Sequence, residues 1–122
     1  MNIILPIKPK YVDKIFNEEK KYEFRKRIPK LKISKIIIYE TFPTKKIVGE
    51  FEIENILSFS REDLWEQTWK YAGIDKISFF SYFKDSDCCF AFKIKNVKKY
   101  KHPRDLRDYG LNYHPQSFIY YE

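Results

Sequence analysis

Ile7-Lys8-Pro9-Lys10-Tyr11-Val12-Asp13-Lys14-Ile15-Phe16-Asn17-Glu18-Glu19-Lys20-Lys21-Tyr22-Glu23-Phe24-Arg25-Lys26-Arg27 is the stretch on which the reading of this chain turns. Tyr11, Val12, Ile15 and Phe16 share one helical face, and Lys10, Asp13, Lys14 and Asn17 share the other. Pro9 suits the first helical turn, where a missing N–H leaves no carbonyl unpaired. Glu18-Glu19 then turns the chain into a strand expected over Lys20 to Lys26. Glu23 and Arg25 are two residues apart, so on a strand they project to one face, with Tyr22 and Phe24 toward the core on the other. Lys20, at the turn, is free to swing toward either.

Outward from this stretch, Met1 to Ile7 reads as a first strand. Ile36-Ile37-Ile38-Tyr39 is a continuous apolar run, as expected of a strand buried on both faces. Thr41-Phe42-Pro43-Thr44 is a turn, and Lys45 to Ile56 alternates as a long strand. Its expected faces are Ile47, Gly49, Phe51 and Ile53 against Val48, Glu50, Glu52 and Glu54. Ser60-Arg61-Glu62-Asp63 resembles a capping box opening a helix through Leu64, Trp65, Thr68, Trp69 and Ala72, with Gly73 as its C-cap. Asp75 caps a second short helix carrying Ile77, Phe79, Phe80 and Phe83. A strand follows from Cys88, its phase broken by a bulge at Asn96, and Pro115 to Tyr121 closes the sheet. These elements predict an α+β fold: a curved sheet or barrel of six or seven strands, one N-terminal helix and a two-helix insertion.

The chain has 122 residues, enough for one domain over 1–122 with a real core. An aromatic content of 19% sets it apart from disordered chains of equal charge. Lys and Arg number 24 against 17 Asp and Glu, a net charge of +7, and the pI is about 9.3. That balance favours a polyanionic partner. The apolar run Ile3 to Leu5 is broken by Pro6 and Lys8 and is too short for a signal peptide, so a cytoplasmic setting without a membrane partner is expected. Cys88 and Cys89 are adjacent, which places them on opposite faces of a strand as two buried or half-buried thiols rather than a disulfide.

Familiar catalytic signatures are absent. His102 and His114 have no metal-ligand spacing to Cys or to each other, and each adjoins a proline, so both are read as loop or surface residues. Three scattered glycines, at 49, 73 and 110, cannot form a phosphate loop. No metal and no cofactor is therefore expected. Basic residues are grouped instead: eight lie between Lys20 and Lys35 against Glu23 alone, and seven between Lys93 and Arg107 against Asp105 alone. Side by side, the two segments would form a stripe able to follow a phosphate backbone. Within the first, Glu23 ringed by cations stays ionised and can accept from an exocyclic amine, while Arg25 grips phosphate or a carbonyl. The plainer alternative is a Glu–Arg pair pinning adjacent strands. Tyr39 and Phe42, near the end of the next strand, are candidates to stack a base.

Strand, Lys8-Pro9, helix, turn and Lys20-Lys21-Tyr22-Glu23-Phe24-Arg25 together resemble the ASCH domain, a branch of the PUA-like superfamily whose signature is a G-x-K-T-x-E-x-R-like stretch. Lys20, Glu23 and Arg25 match; Glu18 stands where Gly is usual and Lys21 where Thr is usual. Val48-Gly49-Glu50-Phe51, the helical insertion, Phe90-Ala91-Phe92-Lys93-Ile94 and Pro115-Gln116-Ser117-Phe118 extend the resemblance over nearly the whole chain. It implies a PUA-like β-barrel of about six strands with a cleft beside the first helix, lined by the motif residues. Similar proteins are proposed to bind RNA, the wider superfamily includes readers of modified bases, and some similar proteins are amidohydrolases on acetylated cytidine or ribonucleases. The amidohydrolase branch has a Thr nucleophile where this chain has Glu23.

The resulting expectation is binding of RNA or single-stranded nucleic acid. Lys8, Lys20 and Arg25 contact phosphate or carbonyl, Glu23 reads a base edge, Tyr39 or Phe42 stacks, and Gln116 and Ser117 lie on the cleft wall. Two alternatives stand beside it. One is a metal-independent hydrolase on RNA or N4-acylated cytidine, using Lys20 and Glu23; the other is a protein-interaction module.

Overall fold

Six strands form one mixed sheet in the order β2-β5-β4-β3-β1-β6, and the computed structural model describes residues 1–122. The strands are β1 (Asn2–Ile7), β2 (Tyr22–Arg25), β3 (Lys35–Glu40), β4 (Lys46–Phe59), β5 (Cys89–Arg104) and β6 (Ile119–Tyr121). Only β1 and β3 run parallel, Ile4 beside Ile37; every other pairing is antiparallel. Helix α1 (Pro9–Phe16) follows β1, and α2 (Arg61–Thr68) and α3 (Lys76–Tyr82) form the insertion between β4 and β5.

The helix ends obey local chemistry. Ser60 accepts from the Asp63 N–H, and Asp75 accepts from the Ser78 N–H, so both insertion helices start on side-chain caps. The helix expected through Ala72 instead stops at Thr68 and tightens into a 3₁₀ turn, Trp69–Tyr71. Gly73 then reverses the chain with φ 65°.

Three apolar cores divide the molecule. The first lies between α1 and one face of the sheet, with Ile3, Leu5, Ile7, Val12, Ile15 and Phe51 among its members. A second joins β2 and β5 to the insertion, where Phe24 meets the edges of Phe79 and Phe83. A third lies on the opposite sheet face around Ile4, Ile37, Tyr39 and Ile47. The apolar run of β3 is thereby explained: Ile36 and Ile38 enter the first core, Ile37 and Tyr39 the third. Each such fully buried side chain contributes roughly 1.5–3 kcal/mol.

Strand alternation fails first in the β3–β4 ladder. Ile38 pairs with Gly49 but Tyr39 pairs with Ile47, leaving Val48 as an extra residue. This bulge switches the phase, so Ile47 packs in the third core while Val48 and Phe51 pack in the first, rather than Ile47 and Phe51 sharing a face. A second irregularity sits where expected, at Asn96, with φ 52° and a register shift between Glu50 and Glu52. Cys89 is buried and Cys88 exposed, a departure from the expectation that neither thiol is exposed.

The sheet curls without closing. β6 covers only Asn2 to Ile4 of β1, and β2 forms the far edge. Across the gap Arg25 donates from Nη2 to the carbonyl of Pro6 at 2.7 Å. One guanidinium therefore bridges a seam that no ladder spans.

Candidate nucleic-acid interface at the barrel seam

Lys20, expected at the start of a strand, lies outside β2, because its backbone N–H still bonds to the Lys14 carbonyl of α1. Its side chain runs inward, with 3% of the residue exposed. Nζ donates to the Ala72 carbonyl at 2.7 Å and lies 5.2 and 4.7 Å from the ring centroids of Tyr11 and Phe24. The stem packs on Gly73, where a Cβ would fall 2.4 Å from that of Lys20. Lys14 reaches the same turn through the Gly73 carbonyl at 3.3 Å. The insertion thus fixes the position of Lys20.

Glu23 is 5% exposed and pairs with Arg25 on its own strand face, Oε2 to Nη2 at 2.8 Å. Its Oε1 has Lys20 Nζ at 3.9 Å as its nearest cation and accepts no hydrogen bond from the protein. Two cations and one carboxylate are held together in a poorly solvated place. Burial is the main cause that lowers the Lys20 amine to a pKa of about 8; Glu23 partly offsets it, and Arg25 and Lys14 lower it further. On Arg25, Nη2 makes both protein bonds while Nε is buried without a partner.

Two concavities flank the seam. The first, about 490 Å³, lies between α1 and α3, with Lys20, Glu23 and Phe24 in its floor and Tyr11, Lys10, Ile77 and Tyr82 on its walls. The second, about 410 Å³, is lined by Tyr39, Thr41, Phe42, Lys45, His114 and Gln116 among others. Pro6, Lys8 and Arg25 belong to both. Lys8, Lys20, Glu23 and Arg25 are therefore brought to one cleft, while Phe42 and Gln116 lie in its neighbour.

Tyr39 departs from its expected role. Its ring is buried in the third core, leaving no free face for a base, and its hydroxyl is bonded to His114 Nδ1 at 2.8 Å. Phe42 is 74% exposed, with Lys45 Nζ 5.4 Å from its ring centroid, so the free aromatic face is there. Ser117 is exposed and lines neither concavity. His114 is exposed in a loop, as expected, but its partner is 75 positions away, so no local signal marks that bond. Tyr11, Tyr82 and Lys45 were likewise missed.

The two basic segments meet side by side along the β2–β5 pairing. Tyr22 of β2 pairs with Lys93, but beyond it β5 runs beside the acidic strand, Lys95 opposite Glu52 and Lys98 opposite Glu50. Lys93 bonds Glu54 at 2.8 Å and Lys35 bonds Glu50 at 3.0 Å. Lys95, Lys98, Lys99 and Lys101 enter no ion pair, so β5 keeps positive charge of its own in addition to the cations at the seam.

Comparison with known proteins places this geometry. The family model described as a domain of unknown function, DUF365, matches residues 1–110. Large ribosomal subunit protein uL22 of Ureaplasma parvum serovar 3 is 32% identical over 119 residues, covering 97% of this chain but 38% of that protein. The chain thus spans well under half the length of that relative. An ASCH domain-containing ribonuclease of Zymomonas mobilis is 25% identical over 119 residues, 95% of this chain and 80% of that one. The crystal structure of ASCH from Zymomonas mobilis superposes with a TM-score of 0.89 at 25% identity, covering 99% of this chain and 87% of that chain. The strand order and the helical insertion agree with this superposition over nearly the whole chain: the chain belongs to the DUF365 family and is a member of the ASCH domain family.

Proposed function

We propose that this protein binds RNA or single-stranded nucleic acid through the cleft beside α1. The observation that carries the reading is the cleft floor, where a fixed carboxylate with an unused acceptor oxygen, Glu23 Oε1, sits between the donors Lys20 and Arg25. Base edges present donors beside acceptors, so fixed groups of both kinds are what reading an unpaired base requires. Lys8, Lys20 and Arg25 contact phosphate or carbonyl groups, and Glu23 takes the amine or ring N–H. Phe42 offers a stacking face, the Tyr39 hydroxyl and Gln116 form the wall beyond, and Ser117 lies outside it. The Zymomonas mobilis relative that is named a ribonuclease supports RNA as the class of partner.

The test is fluorescence anisotropy with a labelled single-stranded RNA over a salt series. Affinity should fall steeply with salt, by about 0.7 log units per log unit for each phosphate contacted. Arg25→Ala and, as a variant remote from the seam bond, Lys10→Ala should each weaken binding several-fold. Salt-independent binding, or wild-type affinity in both variants, overturns the reading, and a complete lack of affinity at low salt favours a protein-interaction module.

A second reading is hydrolysis, favoured by the name of the same relative and by the Lys20 amine titrating near neutrality, at about 8. An amine that is partly unprotonated at working pH can move protons for an attacking hydroxyl. Incubation with RNA and with N4-acylated cytidine, beside a Glu23→Gln variant, separates the two. Turnover lost in the variant supports the hydrolase, whereas binding without turnover supports the reader.

A further inference from the structure

We propose that the unit recognised is a dinucleotide step: one nucleoside in each concavity, with the phosphodiester between them on the ridge that Lys8 and Arg25 form. The inference rests on the nucleic-acid reading above and specifies its ligand. Each concavity, about 490 and about 410 Å³, is within the ~300–1,000 Å³ of ordinary small-molecule sites, and neither needs the other to hold one nucleoside. They are not independent, because Pro6, Lys8 and Arg25 line both. The shared ridge is cationic. Lys8 is exposed and enters no ion pair, and only Nη2 of Arg25 has protein partners. A charge with donors to spare on a divide between two cavities is placed to hold an anion that links their occupants.

The two sides differ in a way that fits adjacent nucleotides rather than one large ligand. In the first concavity Glu23 is an acceptor at the floor and Tyr11 and Tyr82 are aromatic walls. In the second the aromatic is the exposed ring of Phe42, accompanied by Lys45 and Gln116 and by no acid. Over both, Lys8, Lys10, Lys20, Arg25 and Lys45 face a single carboxylate. That excess suits a phosphodiester and disfavours a neutral nucleoside. The first side reads a base edge, and the second stacks its neighbour.

Competition against a labelled single-stranded dodecamer tests the footprint, with oligouridylates and oligocytidylates of rising length as competitors. Affinity should rise about tenfold from mononucleotide to dinucleotide, at the lower end of what stacking one base contributes, and by less than about threefold for each nucleotide after that. Phe42→Ala, which removes an exposed ring, and Ser81→Trp, which fills the first concavity from an exposed position, should each return the dinucleotide to the mononucleotide level. Equal gains for every added nucleotide, or no gain at the second, overturn the dinucleotide step while dodecamer binding leaves the nucleic-acid reading intact. Loss of dodecamer binding at low salt overturns both.

Discussion

Glu18 closes α1 at a backbone angle that an L-residue adopts at a cost. Its φ is 63°, and the Glu19 N–H bonds to the Lys14 carbonyl while the Glu18 N–H bonds to that of Ile15. These are the two bonds of a Schellman ending, whose left-handed position is ordinarily glycine. Glu18→Gly should therefore stabilise the protein by about 1 kcal/mol in denaturant unfolding, from relief of the left-handed strain less the entropy that glycine loses. Lys20 gives a second residue-scale prediction. Its amine titrates at about 8 in the fold against 10.5 in an open chain. Between those values the unfolded chain holds the extra proton, so stability rises as pH increases through this window and the charged amine lowers stability below it. An NMR titration of the Lys20 side chain should show a midpoint near 8. In a Lys20→Met variant the gain in stability between pH 8 and 10.5 should shrink. A midpoint at the ordinary lysine value would remove the burial argument.

At the scale of elements, the insertion is the part that makes the site. The Ala72–Gly73 turn supplies the carbonyls that hold Lys20 and Lys14, and α3 forms one wall of the first concavity. Phe79 ties the insertion to the sheet, with its ring 5.0 Å from Phe24 and 5.0 Å from Trp65. Phe79→Ala should cost about 3–5 kcal/mol, as expected for a fully buried ring. Hydrogen exchange should quicken first in α2 and α3, before β1 and β3, and nucleic-acid binding should fall with it. Uniform exchange over the whole sheet would mean that the insertion and the sheet unfold as one unit. Much of this level was legible beforehand. Ser60 and Asp75 announce their helices because an N-cap needs only a hydroxyl or carboxylate three residues from its donor, and the bulge at Asn96 shows as a break in alternation. The Val48 bulge escaped because apolar residues stand on both sides of it, so the pattern reads through the phase change. β2 came out shorter than expected because Lys20 remains bound to the end of α1.

For the molecule as a whole, Arg25 is both a candidate ligand contact and the closure of an unfinished barrel. Arg25→Met should destabilise by about 2 kcal/mol. That is below the full range for breaking a buried pair, because 21% of the Arg25 side chain is exposed. Combining it with Glu23→Gln should recover part of the loss, and faster exchange at Leu5 to Ile7 would locate the opened seam. No helix is long and apolar enough to cross a membrane, and pairs along β4 and β5 such as Lys93 with Glu54 leave the net charge of +7 to other cations. What the sequence determined by itself is whatever depends on neighbours a few residues apart: the amphipathic α1, the doubly buried β3, the helix caps, and the shared face of Glu23 and Arg25. What only the tertiary structure decided depends on distant partners. Lys20 meets Ala72 across 52 positions, Tyr39 meets His114 across 75, and β5 lies between β2 and the acidic β4. Spacing and pattern constrain local geometry, whereas desolvation, charge balance and the closing of a curved sheet are set by contacts that form only when the chain has folded back on itself.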